Sequence, residues 1–154
     1  MASTNKPLLA NPDLLAAALE YAQKGKAVFP CKPGAKTPLT LHGFKDATTD
    51  EAQIRKWWTE NPQAWIGMPT GKASGIVVLD IDIKNGAKGN ESLAALEAQH
   101  GKLPQTMCQR TQSGGWHYFF KNPSDVKLKN STSKLGNGID VRANGGYIIL
   151  RIYP

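Results

Sequence analysis

The residues best placed to do chemistry are Asp80 and Asp82, which end the apolar run Ser74-Gly-Ile-Val-Val-Leu-Asp-Ile-Asp82. Strand side chains alternate, so these two carboxylates share one side, roughly 7 Å apart, and Leu79 and Ile81 take the other. Like charges held there repel unless a cation sits between them, and Mg²⁺ or Mn²⁺ prefers such oxygen ligands. Two solvated acids where a strand runs into the turn at Asn85-Gly86 are the ordinary alternative, and for Asp-x-Asp alone that alternative comes first. Other residues are expected on the same face. His117, in Trp116-His-Tyr118, follows a Ser-Gly-Gly turn on a strand, and in Gly138-Ile-Asp-Val-Arg142 the side chains of Asp140 and Arg142 point one way while Ile139 and Val141 face the core. Three carboxylates on adjacent strands would hold two divalent ions, activating a sugar hydroxyl and stabilising a leaving pyrophosphate. His117 and Arg142 would then hold a triphosphate, the arginine as a bidentate fork. Singly, each has a plain reading: a packed strand histidine, and a surface ion pair between Asp140 and Arg142. Jointly, they all alternate with core apolar residues in the same sense.

Weaker candidates for phosphate contacts are Lys32 and Lys36, in the rigid basic loop Cys31-Lys-Pro-Gly-Ala-Lys-Thr-Pro38, although a connecting turn explains that loop equally well. His42 and His100 have no comparable context. Met68-Pro-Thr-Gly-Lys-Ala-Ser-Gly75 contains Thr-Gly-Lys but lacks the full phosphate-loop motif and leads into a strand, not a helix. The chain also lacks the two-histidine motifs of replication nucleases and zinc proteases.

Regular elements must position these groups. β-branched Ile76, Val77, Val78 and Ile81 make 74–82 a buried strand. Further strands are expected at 27–30, 64–67, 106–111, 116–121, 139–141 and 147–150. The last two would form a hairpin around Ala143-Asn-Gly-Gly146. Asn11-Pro12-Asp13 offers an N-cap, a proline at the first helical position and an acid in the first turn. Leu14, Leu15, Ala18, Leu19 and Ala22 then repeat at helical spacing up to Gly25. Thr48-Thr-Asp-Glu51 has capping-box spacing and opens a helix to Asn61-Pro62. Core packing is the default for its Trp57 and Trp58, with base stacking as the alternative. A third helix spans 91–100, with Leu93 and Leu96 on its apolar side and Gly101 at its end.

At 154 residues and 40% hydrophobic content the chain is read as a lead-in at 1–10 and one domain over 11–154 with a single core. No apolar stretch approaches the roughly 20 residues that span a bilayer, and the N-terminus lacks a signal-peptide pattern, so no membrane and a cytoplasmic location are expected. Cys31 and Cys108 form neither a C-x-x-C pair nor a disulfide framework and are read as buried small hydrophobes. A net charge of +7 points to an anionic partner, with nucleic acid or nucleotide as the commonest kind.

The fragments Ala17-Ala-Leu-Glu-Tyr-Ala-Gln-Lys-Gly25, Val28-Phe-Pro-Cys-Lys-Pro-Gly-Ala-Lys-Thr-Pro38, Gly43-Phe-Lys-Asp-Ala-Thr-Thr49, Ile66-Gly-Met-Pro-Thr-Gly71 and Gly75-Ile-Val-Val-Leu-Asp-Ile-Asp82 occur in an informative order. They are followed by Leu103-Pro, Thr111-Gln-Ser-Gly-Gly-Trp-His117, Gly138-Ile-Asp-Val-Arg142 and Gly145-Gly-Tyr147. In this order and spacing the chain resembles the bifunctional primase-polymerase domain of the archaeo-eukaryotic primase superfamily, found in plasmid, phage and prophage replication proteins. The resemblance implies an α+β catalytic core with a mixed or antiparallel RRM-like central sheet flanked by helices. It implies that Asp80 and Asp82 form the first metal-binding motif, that His117 with Ser113 belongs to the nucleotide-binding motif, and that Asp140 is the last metal ligand. The implied activity is nucleotidyl transfer from dNTPs or NTPs on a single-stranded DNA template, with two Mg²⁺ or Mn²⁺ ions and a helicase acting in trans or in a longer parent chain. A remnant that binds nucleotide or single-stranded DNA without turnover is the alternative. Family members continue after Gly-Gly-Tyr with further elements, whereas this chain ends at Ile148-Ile-Leu-Arg-Ile-Tyr-Pro154, so a C-terminally shortened domain is expected.

Overall fold

In the computed structural model, which describes residues 13–150, helix α1 (Leu14–Gln23) starts from Asp13, whose carboxylate accepts the Ala16 amide at 3.0 Å. Asp13 is thus the N-cap in place of Asn11. Asn11, Pro12 and the lead-in lie outside the described residues. Strand β1 (Phe29–Cys31) leads through the basic loop and a short 3-10 turn (Gly43–Asp46) to α2 (Glu51–Glu60). Asp50 caps α2 and accepts the Gln53 amide at 3.3 Å. Strands β2 (Trp65–Pro69) and β3 (Ile76–Ile81) come next, then a 3-10 turn (Lys84–Gly86) and α3 (Gly89–His100). The remaining elements are β4 (Cys108–Arg110), β5 (Trp116–Lys121), β6 (Ser131–Thr132), β7 (Ile139–Arg142) and β8 (Tyr147–Leu150). The α+β class expected from the sequence holds.

The strands form two antiparallel sheets, one of order β1-β2-β8 and one of order β4-β5-β3-β7-β6. This corrects the expected hairpin between 139–141 and 147–150. β7 is paired on both sides, by β3 and by the short β6, which the sequence did not announce, and so offers β8 no edge. Two bonds from Thr70 instead turn the chain toward the other sheet: its hydroxyl donates to the Ala143 carbonyl at 2.7 Å and its amide to the Gly146 carbonyl at 3.0 Å. A Cβ at 146 would lie 2.3 Å from Asn130 Oδ1, so a side chain there must displace Asn130.

Helices α1 and α2 supply Ala18, Ile54 and Trp58 to a core shared with Ile66, Met68, Ile148 and Leu150 of the three-stranded sheet. Each fully buried large apolar side chain of this kind contributes about 1.5–3 kcal/mol. Trp58 is the tryptophan that fills the core, and its indole N–H donates to the Ala64 carbonyl at 3.0 Å; Trp57 packs against the periphery. Val78 and Phe119 carry the same core onto the five-stranded sheet, whose opposite face buries Ile81 and Ile139 where α3 packs on β3 and β7. Of the two cysteines, Cys31 is buried as expected, and burial pushes its thiol up to about 12. Cys108 is exposed, contrary to expectation, because alternation along β4 turns the buried Gln109 inward and Cys108 out.

Candidate functional site

Residues directly opposite one another in an antiparallel ladder project from the same face of the sheet. The register pairs Gln109 with His117, His117 with Asp80, Asp80 with Asp140, and Asp140 with Thr132. One polar row therefore crosses all five strands, with Asp80 at its centre on β3. Two residues along the strands the same face carries Phe119, Val78 and Arg142, so an apolar floor borders the row on one side.

Charge is concentrated at Asp80. His117 Nε2 lies 3.4 Å from Asp80 Oδ1, and Arg142 Nε lies 3.8 Å from Oδ2. The Arg142 guanidinium also donates to Asp140 Oδ2 at 2.9 Å, while Asp140 Oδ1 accepts the Ser133 amide at 3.1 Å. Burial pushes the Asp80 carboxyl up, but the hydrogen bond and charge of His117, with the charges of Arg142 and Lys36, outweigh burial and hold it below its ordinary value. Asp80, His117, Arg142 and Lys36 line a cavity of about 220 Å³ whose far wall is the segment from Gly145 to Ile149. A second cavity of about 390 Å³ lies across His117 and Lys36, walled by Trp65, Ile66 and Leu150 and edged by Gln109 and Arg110.

Of the residues singled out in the sequence, Asp80, Asp140, His117, Arg142 and Lys36 come together. Lys36 arrives from the basic loop, where it adopts φ 56° and its carbonyl accepts the Tyr147 hydroxyl at 3.0 Å. The other three stand apart. Asp82 lies past the end of β3, its carboxylate accepting the Lys84 amide at 3.0 Å in a local turn. Ser113 is exposed in the β4–β5 turn, 3.4 Å from the Thr111 hydroxyl, and Lys32 is exposed at the start of its loop. Sequence reasoning missed Gln109, Asn130 and Tyr147. No local signal pointed to Gln109: with Cys108 read as buried, alternation along 106–111 turns position 109 outward, the opposite of its place in the structure.

Among the described residues no group of three or more His, Cys, Asp or Glu side chains stands close enough to hold a metal ion. The donor set that fits a hard divalent ion is the Asp80–Asp140 pair, two carboxylates opposite each other on one face. Arg142 now supplies the positive charge between them. The arrangement can therefore hold an anion on Lys36, Arg142 and His117 in the cavity, and a cation on Asp80 at the cavity and its ladder partner Asp140 beside it.

A family model described as bifunctional DNA primase/polymerase, N-terminal, matches residues 18–152. No curated protein matches the chain.

Proposed function

Because the chain belongs to the family of bifunctional DNA primase/polymerase N-terminal domains, we propose that it catalyses template-directed nucleotidyl transfer in the replication of a plasmid, phage or prophage, with Asp80 as the centre of the site. What supports this reading is one observation: Asp80 is paired in register with His117 on one side and Asp140 on the other. In the reaction an acceptor hydroxyl oxygen bonds to the α-phosphorus of a nucleoside triphosphate, and the bond to pyrophosphate breaks. Asp80 and Asp140 would hold divalent Mg²⁺ or Mn²⁺, and Asp82, whose Oδ1 accepts the Lys84 amide, would join them through its other carboxylate oxygen. Bound there, the ion would polarise phosphoryl oxygens and lower the cost of the charge that develops on them. Arg142, displaced from between the acids, would turn its fork to the phosphate oxygens. Lys36 adds a point charge, and His117 an N–H donor, on the same side of the cavity. Single-stranded DNA is the template and dNTPs or NTPs are the substrates in this reading, with a helicase as a replication partner.

Two observations favour a second reading, a module that binds nucleotide or single-stranded DNA without turnover: Asp82 is engaged in its own turn, and the Arg142 guanidinium already sits against both remaining acids. Primer synthesis on single-stranded DNA with dNTPs or NTPs and Mn²⁺ separates the two. Catalysis requires product that falls roughly a hundredfold or more in Asp80→Ala with its fold intact. DNA binding without product in any metal establishes the module.

A further inference from the structure

Gln109 belongs to the polar row but has no part in nucleotidyl transfer as proposed. It is 9% exposed, and among the described residues its amide nitrogen lies 3.0 Å from His117 Nδ1 and 2.9 Å from the main-chain carbonyl of Ile149. A carbonyl oxygen only accepts, so the end of the amide that faces Ile149 must be the NH₂ group. That group has two hydrogens, one for each contact. Nδ1 of His117 therefore meets a donor and must present its lone pair, which puts the hydrogen of the neutral ring on Nε2. Nε2 is the nitrogen on the side of Asp80, 3.4 Å from its Oδ1, and Asp80 itself lines the cavity.

We propose that Gln109 is a positioning residue that holds His117 in its Nε2–H form, so that the ring turns a donor and never a lone pair toward the triphosphate of an incoming nucleotide. The use to which the donor is put rests on the nucleotidyl-transfer reading; the tautomer itself does not. A purely structural role would explain the Ile149 bond, which ties edge strand β4 of one sheet to β8 of the other. It gives no reason for the second hydrogen to end on Nδ1. Outer partners that fix a ring nitrogen in this way set which nitrogen is available for work. In the opposite tautomer the Nε2 lone pair would face phosphate oxygens, and binding would lose a charge-assisted hydrogen bond.

The test is a long-range proton–nitrogen correlation spectrum of the ¹⁵N-labelled full chain at mildly alkaline pH. The wild type is expected to show His117 with a bare Nδ1 and a protonated Nε2. Gln109→Glu, which replaces the donor with an acceptor of the same shape, is expected to put a hydrogen on Nδ1. Gln109→Met, which fills the volume without a donor, is expected to give a mixture of tautomers. In primer extension the same Gln109→Met is expected to raise the nucleotide KM about tenfold while kcat changes less than about threefold. A wild-type His117 protonated on Nδ1 overturns the proposal without recourse to any variant, and so does a Gln109→Met enzyme with unchanged KM. A wild type with the expected tautomer and no product in any metal overturns the nucleotidyl-transfer reading, and with it the use proposed for the donor, but leaves the Gln109–His117 geometry standing.

Discussion

At Asp80, burial and charge act in opposite directions, and charge prevails. A carboxyl held low in the folded chain adds stability above its unfolded value of about 3.9, and that contribution is lost as the pH falls through the lower folded value. Asp80→Asn removes it. The difference in unfolding free energy between wild type and variant, measured by urea denaturation without divalent ions, is expected to be widest above about pH 4 and to close on acidification. A difference that widens toward acid would mean that the neighbours do not hold the carboxyl low. Arg142 makes a second test at this scale. Its side chain is 29% exposed and stands between Asp80 and Asp140, which face each other across the ladder. Removing it in Arg142→Leu leaves like charges opposed, at an expected cost of about 1–3 kcal/mol, less than for a fully buried pair. Mn²⁺ substitutes for the lost charge, so the ion is expected to raise the Tm of Arg142→Leu more than that of the wild type. Equal shifts would show that guanidinium and ion do not compete for the same carboxylates.

Among the elements, β3 does most to define the site, and the junction after Ile81 fixes where the strand ends. The Asp82 amide donates to Gly138 at 2.7 Å and the Asp82 carbonyl accepts the Gly89 amide at 3.0 Å, which ties the end of β3 to the start of β7 and of α3. Gly138 has φ 80°, and a Cβ there would stand 2.5 Å from the Gly89 nitrogen. Gly138→Ala combines a left-handed backbone, at about 1–2 kcal/mol, with a clash against main chain that cannot rotate away. A loss above about 2 kcal/mol in denaturant stability is expected, and a neutral result would mean that the junction relaxes freely. The strands that carry Asp80, His117 and Asp140 were legible because β-branched runs and period-two alternation are local signals. Pairing is not local. The segments 139–142 and 147–150 flank Ala143-Asn-Gly-Gly146, which by local rules is a hairpin turn, yet they join different sheets because β7 is already paired on both edges. For the same reason the opposition of Asp80 and Asp140 was expected only as a shared face; their direct pairing depends on a register set by contacts across the sheet. Asp82 was read by parity and by the family resemblance, and parity ceases to apply where β3 stops at Ile81.

The two sheets meet at the cavity, and its walls belong to both. Asp80, His117 and Arg142 come from the five-stranded sheet, Tyr147, Ile148 and Ile149 from the three-stranded one, and Lys36 from the loop after β1. The core cluster is likewise shared, so a ligand held by both walls is linked to folding of the whole described unit and not to one element. A nucleoside triphosphate with Mn²⁺ at a hundred times its Kd would add about 2.7 kcal/mol to stability. For a chain of this length that corresponds to a rise in Tm of roughly 5–10 °C. The net charge of +7 adds long-range attraction for the triphosphate, so the shift is expected to shrink as salt is raised. In Asp140→Ala the Mn²⁺-dependent part of the shift should vanish while a smaller, metal-independent part persists through Lys36, Arg142 and His117. A turnover-deficient module would give the same wild-type shift, so the melting experiment tests the pocket and the primer assay tests the chemistry. If triphosphate and Mn²⁺ together leave the Tm of the wild type unchanged at millimolar concentration, the cavity at Asp80 does not bind nucleotide, whatever the family's activity.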